Sequence, residues 1–363
     1  MQVKQSSSLH PSAARRQPSA FRPPLSAFPH GFTLTELLIV IAIIAVLAGL
    51  IGAAAVTALR AAKRGAIVLE LKSIAGALEK FNTDRNVYPP NLINPNPAAT
   101  GPGAPSALVA SDLDRALRKA FPKHAEPQLL LAALVGKGPS GPKTLANGIQ
   151  ATEALYFWLG GFSSDERYPI SGPGGPSFAQ GDAEVLENRN RAEGFEFDLG
   201  RLGPRDDNGV FNGRSLQYVV DLNGNGNVDA GENRIINFWQ VRPKGSEKSI
   251  AYFDTSRHKP VKYDPPAVVQ ALSSGEEHKV YALKKKREGA ATANTMRDIE
   301  FVDRKFQIMH AGMDDLWGSF GSSATGATDP DDMYLFPEGP FIGENADTLT
   351  NFADGELSDA AEE

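Results

Sequence analysis

The feature that most restricts the fold of this chain is an uncharged run near its N-terminus. From Leu37 to Leu59 there are 23 consecutive residues without a charged side chain, and Arg60 ends the run. As a helix rising about 1.5 Å per residue, it would measure roughly 35 Å, enough to cross a hydrocarbon core of about 30 Å. A soluble helix keeps one polar face, which this run does not have. The run therefore predicts a transmembrane helix at about residues 37–59.

The same helix is predicted to continue beyond the apolar run. Apolar residues recur there at steps of three and four, with charged residues between them. These residues are Ile67, Leu71, Ile74, Leu78 and Phe81. The following pair, Pro89 and Pro90, excludes further helix. We therefore expect one helix from about Phe32 to Asp84 within a helical segment 32–86. A secretory signal peptide would instead show a cleavage site after its apolar region.

The residues that precede the helix are basic. Residues 1–31 contain Lys4, Arg15, Arg16 and Arg22 and no acid. Their many Ser and Pro residues indicate an unfolded leader. Because positive charge near a membrane span favours the cytoplasmic side, we expect the leader in the cytoplasm and the C-terminal part on the opposite side of the membrane.

One acid, Glu36, lies at the start of the apolar run. A carboxylate inside the membrane is costly unless it has a partner. The residues leave two interpretations open. In the first, Glu36 lies at the level of the lipid headgroups. In the second, it pairs with a cation from another subunit, such as the α-amino group that a cut between Gly31 and Phe32 would create.

The segment around Glu36 resembles the class III signal of type IV prepilins and type II secretion pseudopilins. It reads Gly31-Phe32-Thr33-Leu34-Thr35-Glu36-Leu37-Leu38-Ile39-Val40-Ile41-Ala42-Ile43-Ile44. The resemblance is close over about residues 28–60 and looser over about 60–92. It implies that a prepilin peptidase cuts after Gly31 and methylates the amine of Phe32. It also implies that Glu36 sets the register between neighbouring subunits, and that the partners are other pilin or pseudopilin subunits and an inner-membrane assembly platform.

A second motif is typical of a calcium-binding loop. Residues 221–232 place oxygen-bearing side chains at positions 1, 3, 5, 9 and 12 and Gly at position 6, the spacing of a twelve-residue EF-hand loop. The predicted Ca²⁺ ligands are Asp221, Asn223, Asn225, the Asn227 carbonyl, Asp229 and Glu232. The flanks look like strands rather than helices, so an Asn/Gly-rich hairpin turn is the alternative interpretation.

The remaining chain predicts an α+β fold, with helices first and strands later. Helices are expected at Asp112–Phe121, with Ser111 as N-cap, and at Leu129–Val135; Ala154–Leu159 is expected to be buried core. Strands are expected at 216–220, 234–241, 250–253 and 280–283. The resemblance implies that an antiparallel sheet packs on the long helix, as in pilins. We therefore expect an extracytoplasmic globular domain over 87–330 and an exposed acidic tail over 331–363.

Composition excludes several functions. The net charge of −6 gives no basic field for nucleic acid, and the absence of cysteine removes disulfides, thiolate metal sites and thiol nucleophiles. The six histidines are scattered and no catalytic serine motif is present. We therefore expect no enzyme, and the resemblance implies a filament subunit of a type II secretion pseudopilus or a type IV pilus. The alternative is a membrane-anchored binding protein or enzyme that uses a prepilin-type export signal.

Overall fold

A computed structural model describes residues 33–94, 105–137, 145, 147–176, 194–219, 233–256, 267–271, 277–290, 297–318, 320 and 334–361. The chain divides into two compact units, Met1–Val56 and Thr57–Glu363. The described part of the first unit is helical from Leu34 onward. The second unit contains the rest of that helix, four further helices and all the described strands.

The long helix, α1, extends from Leu34 to Arg85, close to the predicted bounds. It ends where Asn86 adopts a left-handed backbone conformation, φ +59°. In the second unit one stripe of α1 is completely buried and belongs to the main core. This stripe comprises Ile67, Leu71, Ile74 and Leu78. The predicted apolar repeat is thus the face that α1 uses to pack in this unit.

Three helices follow α1. They are α2 (Pro105–Ala120), α3 (Gln128–Leu134) and α4 (Ala151–Leu159). The predicted start of α2 is wrong, because Ser111 lies inside the helix and Pro105 occupies its first position, which suits proline. The prediction that Ala154–Leu159 is core is confirmed, since every residue of α4 is buried.

All the described strands pair antiparallel, so the fold is an α+β mix of a long helix and small antiparallel sheets, consistent with a pilin-like fold. The strands are β1 (Leu202–Gly203), β2 (Ser215–Val219), β3 (Asn233–Asn237), β4 (Gln240–Val241), β5 (Ala251–Asp254), β6 (Ala267–Ala271), β7 (Glu277–Val280), β8 (Lys284–Lys286), β9 (Ile299–Phe301), β10 (Phe306–His310) and β11 (Leu349–Thr350). Short 3₁₀ turns occur at Leu199–Arg201 and Gly343–Asn345, and α5 is Leu357–Ala361.

Several strand predictions need correction. The predicted strand 234–241 is split into β3 and β4, and 280–283 is mostly the connection between β7 and β8. Strand β10 is absent from the prediction although all five of its residues are buried. A short strand that is buried on both faces shows no alternation of apolar and polar residues.

The widest sheet has the order β11–β10–β5, and a side-chain amide protects its β5 edge. Asn91 donates through Nδ2 to the carbonyl of Tyr252 (2.9 Å), and its Oδ1 accepts the backbone N–H of Asp254. The amide thus takes the place of a neighbouring strand at this edge of the sheet, where all four residues of β5 are buried. Nearby, the Tyr252 hydroxyl donates to the carbonyl of Pro89 (2.7 Å), and Trp158 Nε1 donates to that of Pro90 (3.1 Å). The buried carbonyls after α1 are therefore paired.

The C-terminal segment is more buried than predicted where the structure describes it. Leu349, in β11, and Leu357, in α5, are completely buried. Arg64 of α1 forms ion pairs with Glu356 (3.2 Å) and Asp359 (2.7 Å). Apolar contacts and these ion pairs attach residues 349–359 to the second unit, so the exposure predicted for the acidic tail does not hold there.

Candidate functional site

The predicted processing residues, Gly31 and Phe32, lie outside the described residues, but the start of α1 is described. Thr33 and Glu36 form a capping box there. Glu36 Oε2 accepts the Thr33 backbone N–H (2.9 Å) and its hydroxyl (2.8 Å), and Thr33 Oγ1 accepts the Glu36 N–H (3.2 Å). The Thr-x-x-Glu spacing is a sequence signal that our prediction missed. Glu36 thus has a role within its own chain besides the one predicted between subunits.

The helix beyond this box exposes apolar surface. Fractional exposure of its large side chains ranges from 44% at Val40 to 72% at Leu59. By length and composition, α1 is one helix that could cross a membrane, found in a search of the described residues. An apolar helix near the N-terminus is consistent with a single membrane anchor.

The residues of the predicted calcium loop, Asp221 to Glu232, also lie outside the described part. The structure does describe both flanks. Strands β2 and β3 form an antiparallel hairpin whose last described pair is Val219 and Asn233. Leu216 and Ile236 of this hairpin are buried in the main core. The ends of the loop are therefore held side by side. Within the described residues, no group of three or more His, Asp or Glu side chains is placed to hold a metal.

A buried polar cluster unites residues that no sequence motif connects. Ser246 Oγ lies 2.9 Å from His310 Nε2 and donates to Asp315 Oδ1. The backbone N–H of Gly312 donates to His310 Nδ1 (3.1 Å), so neutral His310 carries its proton on Nε2 and donates to Ser246. Burial lowers the pKa of His310 to about 4.

The direction of the hydrogen bond between His310 and Ser246 is opposite to that in a catalytic triad. In a triad the imidazole accepts the serine proton, whereas here the proton of His310 points at Ser246. Ser246 Oγ also accepts the N–H of Lys248 (3.1 Å), so its acceptor sites are occupied. Asp315 lies 3.6 Å from Lys63 of α1. The geometry fits a structural connection between α1, the 246–248 turn and the end of β10.

A buried carboxyl group lies in the core of the second unit. Glu153 of α4 is completely buried, and its Oε2 accepts both Arg214 Nη1 (3.0 Å) and the backbone N–H of Gln150 (2.9 Å). Arg214 also donates to the carbonyl of Gly148 (2.7 Å). Burial raises the pKa of Glu153, while Arg214 and the Gln150 N–H oppose that shift.

Comparison with known proteins assigns the N-terminal segment. Residues 29–52 match a family model described as the prokaryotic N-terminal methylation motif. No curated protein and no solved structure matched the chain. The matched segment contains Gly31, Phe32 and Glu36, the residues on which the resemblance was based. A motif of this kind implies processing by prepilin peptidase and assembly with other pilins. This chain therefore carries, at residues 29–52, the class III signal of type IV pilins and pseudopilins.

Proposed function

We propose that the chain is a structural subunit of a helical filament, either a type II secretion pseudopilus or a type IV pilus. A prepilin peptidase cuts after Gly31 and methylates Phe32, and an inner-membrane platform assembles the subunits. The methylation motif at 29–52 carries this proposal. The exposed apolar surface of α1 supports it, because such a helix needs lipid before assembly and other helices after it.

The proposed role of Glu36 is electrostatic. After cleavage, the new amine of Phe32 in one subunit would pair with the carboxylate of Glu36 in its neighbour. Since a membrane interior penalises each charge alone, the pair would favour one register between subunits. Within its own chain Glu36 uses Oε2 for the capping box, and no described group bonds Oε1.

The capping box offers a matched pair of variants for testing this role. Glu36→Gln keeps an acceptor for the Thr33 N–H, because Gln also suits this position, and removes only the charge. Thr33→Ala breaks the box and keeps the charge. In the native host we expect Glu36→Gln to insert and be processed without forming filaments, and Thr33→Ala to assemble.

N-terminal sequencing and intact mass should first establish whether the mature chain starts at methylated Phe32. Normal filaments from Glu36→Gln would refute the electrostatic role. An intact Met1, or a cut beyond Leu59, would remove the filament proposal. An anchored binding protein or enzyme with a prepilin-type export signal would then remain.

We also propose that the β2–β3 connection binds Ca²⁺ through Asp221, Asn223, Asn225, Asn227, Asp229 and Glu232. The pairing of Val219 with Asn233 supports this, since a twelve-residue calcium loop must return close to its starting point. Calcium should raise the melting temperature of the full-length protein in detergent. Asp221→Ala should abolish the increase, whereas Asp207→Ala, a change of an exposed acid elsewhere, should preserve it. Equal melting curves with calcium and with chelator would refute this site.

A further inference from the structure

One face of α1 in the second unit has no partner within the described chain. Gly65, Leu69, Lys72, Gly76 and Lys80 fall within an arc of roughly 80° at about 100° per residue, opposite the buried stripe. We call these five residues the outward face. Leu69 is 70% exposed, and a Cβ on Gly65 or Gly76 would meet nothing within 4 Å. Glycine inside a helix lowers its stability, and packing against the described residues gives no reason for Gly65 or Gly76.

The outward face is positively charged. Lys72 is exposed and has no ion pair among the described residues, and Lys80 has only a 3.7 Å contact with Asp84 one turn away. No carboxylate occurs among the five residues. The two acids of α1 that lie between these five residues in the chain are engaged by other groups: Glu70 by Arg201 (2.5 Å), and Glu79 by Lys305 (2.8 Å) and the Tyr88 hydroxyl (2.8 Å).

The C-terminal part of the same unit has the opposite charge. Lys305 is the last lysine or arginine in the sequence. Beyond it, carboxylates gather around Lys63 and Arg64, the only two bases they contact in the described part. We call the following set the acidic surface: Asp314, Asp347, Asp354, Glu356 and Asp359.

Among the described residues, Arg64 is the one base that forms ion pairs with members of the acidic surface. Burial raises the pKa of Asp347, and the charge of Asp314 adds to that effect. Burial likewise raises the pKa of Glu356; Arg64 opposes this rise, and the charges of Asp359 and Asp347 add to it. Asp314 and Asp354 are exposed and have no ion pair among the described residues. An additional cation would therefore reduce the repulsion within this surface.

The two surfaces are complementary and different, and both occur on every copy of the chain. A contact between different patches of identical subunits is heterologous, and where it does not close into a ring it produces an open helical polymer. We propose that the outward face of α1 binds the acidic surface of a second copy, with Lys72 and Lys80 next to the carboxylates and Leu69 covered between them. This inference rests on the proposed filament function and adds which surfaces meet.

A charge exchange tests the contact in the native host. Lys72→Glu and Asp354→Lys each alter an exposed residue that has no hydrogen bond or ion pair among the described residues, so the fold should persist. We expect each single variant to lose most of the filaments that wild type forms, and the double variant to recover them. A variant of equal charge change elsewhere, Lys119→Glu on α2, should assemble like wild type. One substitution alters the same contact in every subunit of the filament, so even a weak contact should affect assembly strongly.

Disulfide cross-linking gives a second readout. Because the chain has no cysteine of its own, a disulfide can form only between the introduced residues. Co-expressed Lys72→Cys and Asp354→Cys chains should form a disulfide-linked dimer on oxidation, whereas Leu108→Cys with Asp354→Cys should not. The proposed contact would be refuted if the single variants assembled normally. It would also be refuted if the double variant stayed defective and no cross-links formed. Filaments that persist in those variants would leave the proposed function intact, while a wild type without filaments would refute both.

Discussion

The buried pair of Glu153 and Arg214 permits a quantitative prediction. Arg214→Met removes the cation and keeps much of the aliphatic volume. Among the described residues, the Glu153 carboxylate, whose side chain is 1% exposed, then retains the Gln150 N–H as its one hydrogen-bond donor. Removing one partner of a buried ion pair typically costs about 3–5 kcal/mol. Because the Arg214 side chain is 34% exposed, solvent weakens its contribution, and we expect a loss of about 2–3 kcal/mol in the free energy of unfolding.

The expected pH dependence identifies the cause of that loss. Burial raises the pKa of Glu153 above its unfolded value, and Arg214 opposes that rise. Without Arg214 the pKa of Glu153 rises further. A buried carboxyl with a raised pKa destabilises the fold at neutral pH. This penalty disappears as the pH falls below the folded pKa toward the unfolded one, because the group is then protonated in both states. The deficit of Arg214→Met should therefore be largest at pH 7 and shrink toward pH 4–5.

Urea denaturation of the full-length protein in detergent measures this deficit through tryptophan fluorescence. Trp158, Trp239 and Trp317 are buried in the second unit, so their emission reports its unfolding. Glu153→Gln in the Arg214→Met background removes the uncompensated charge and should recover part of the lost stability. A deficit that is equal at pH 7 and pH 5, or a double variant less stable than Arg214→Met, would contradict an unpaired carboxylate as the cause.

Three further variants test packing through thermal unfolding in the same detergent. Gly148 has φ +69°, and a Cβ there would lie 1.8 Å from the carbonyl oxygen of Leu92, so Gly148→Ala should cost at least about 3 kcal/mol or prevent folding. Gly76→Ala should stabilise the unassembled subunit by about 0.5–1 kcal/mol, because open space surrounds its Cβ; a loss would refute the exposure of that face. Asn91→Ala should cost about 1–3 kcal/mol, since two backbone groups of β5 lose their partner; an unchanged melting temperature would show that water replaces the amide.

Sequence patterns predict the elements whose residues repeat over many turns or lie next to one another in the chain. Helix α1 is correct to within about two residues, because its apolar repeat continues over many turns and Pro89 and Pro90 follow it. The hairpin strands β2 and β3 are also found, since their β-branched and aromatic residues flank a turn-rich loop. The α+β class follows from the order of these elements.

Contacts between distant residues could not be predicted in this way. Glu153 and Arg214 are 61 positions apart, and Ser246 and His310 are 64 apart, so no spacing rule connects them. Strand β10 illustrates a different limit. All five of its residues, Phe306–His310, are buried, including the polar Gln307. Gln307 can be buried because its amide is hydrogen-bonded to the backbone of Leu283 (2.7 and 2.8 Å). A polar residue with such a partner looks exposed in the sequence and is core in the fold.

The two parts of α1 differ in where their apolar side chains lie. Its residues 67–78 bury an apolar stripe against their own unit, so that part stabilises the subunit. Its residues 37–59 expose apolar side chains, which water would penalise and which only lipid or other helices can cover. Folding of the second unit therefore depends on the buried stripe of α1. Membrane insertion, and helix packing in the proposed filament, would depend on residues 37–59. Variants at 37–59 should change assembly without changing the unfolding of the second unit, and variants in the buried stripe should do the reverse.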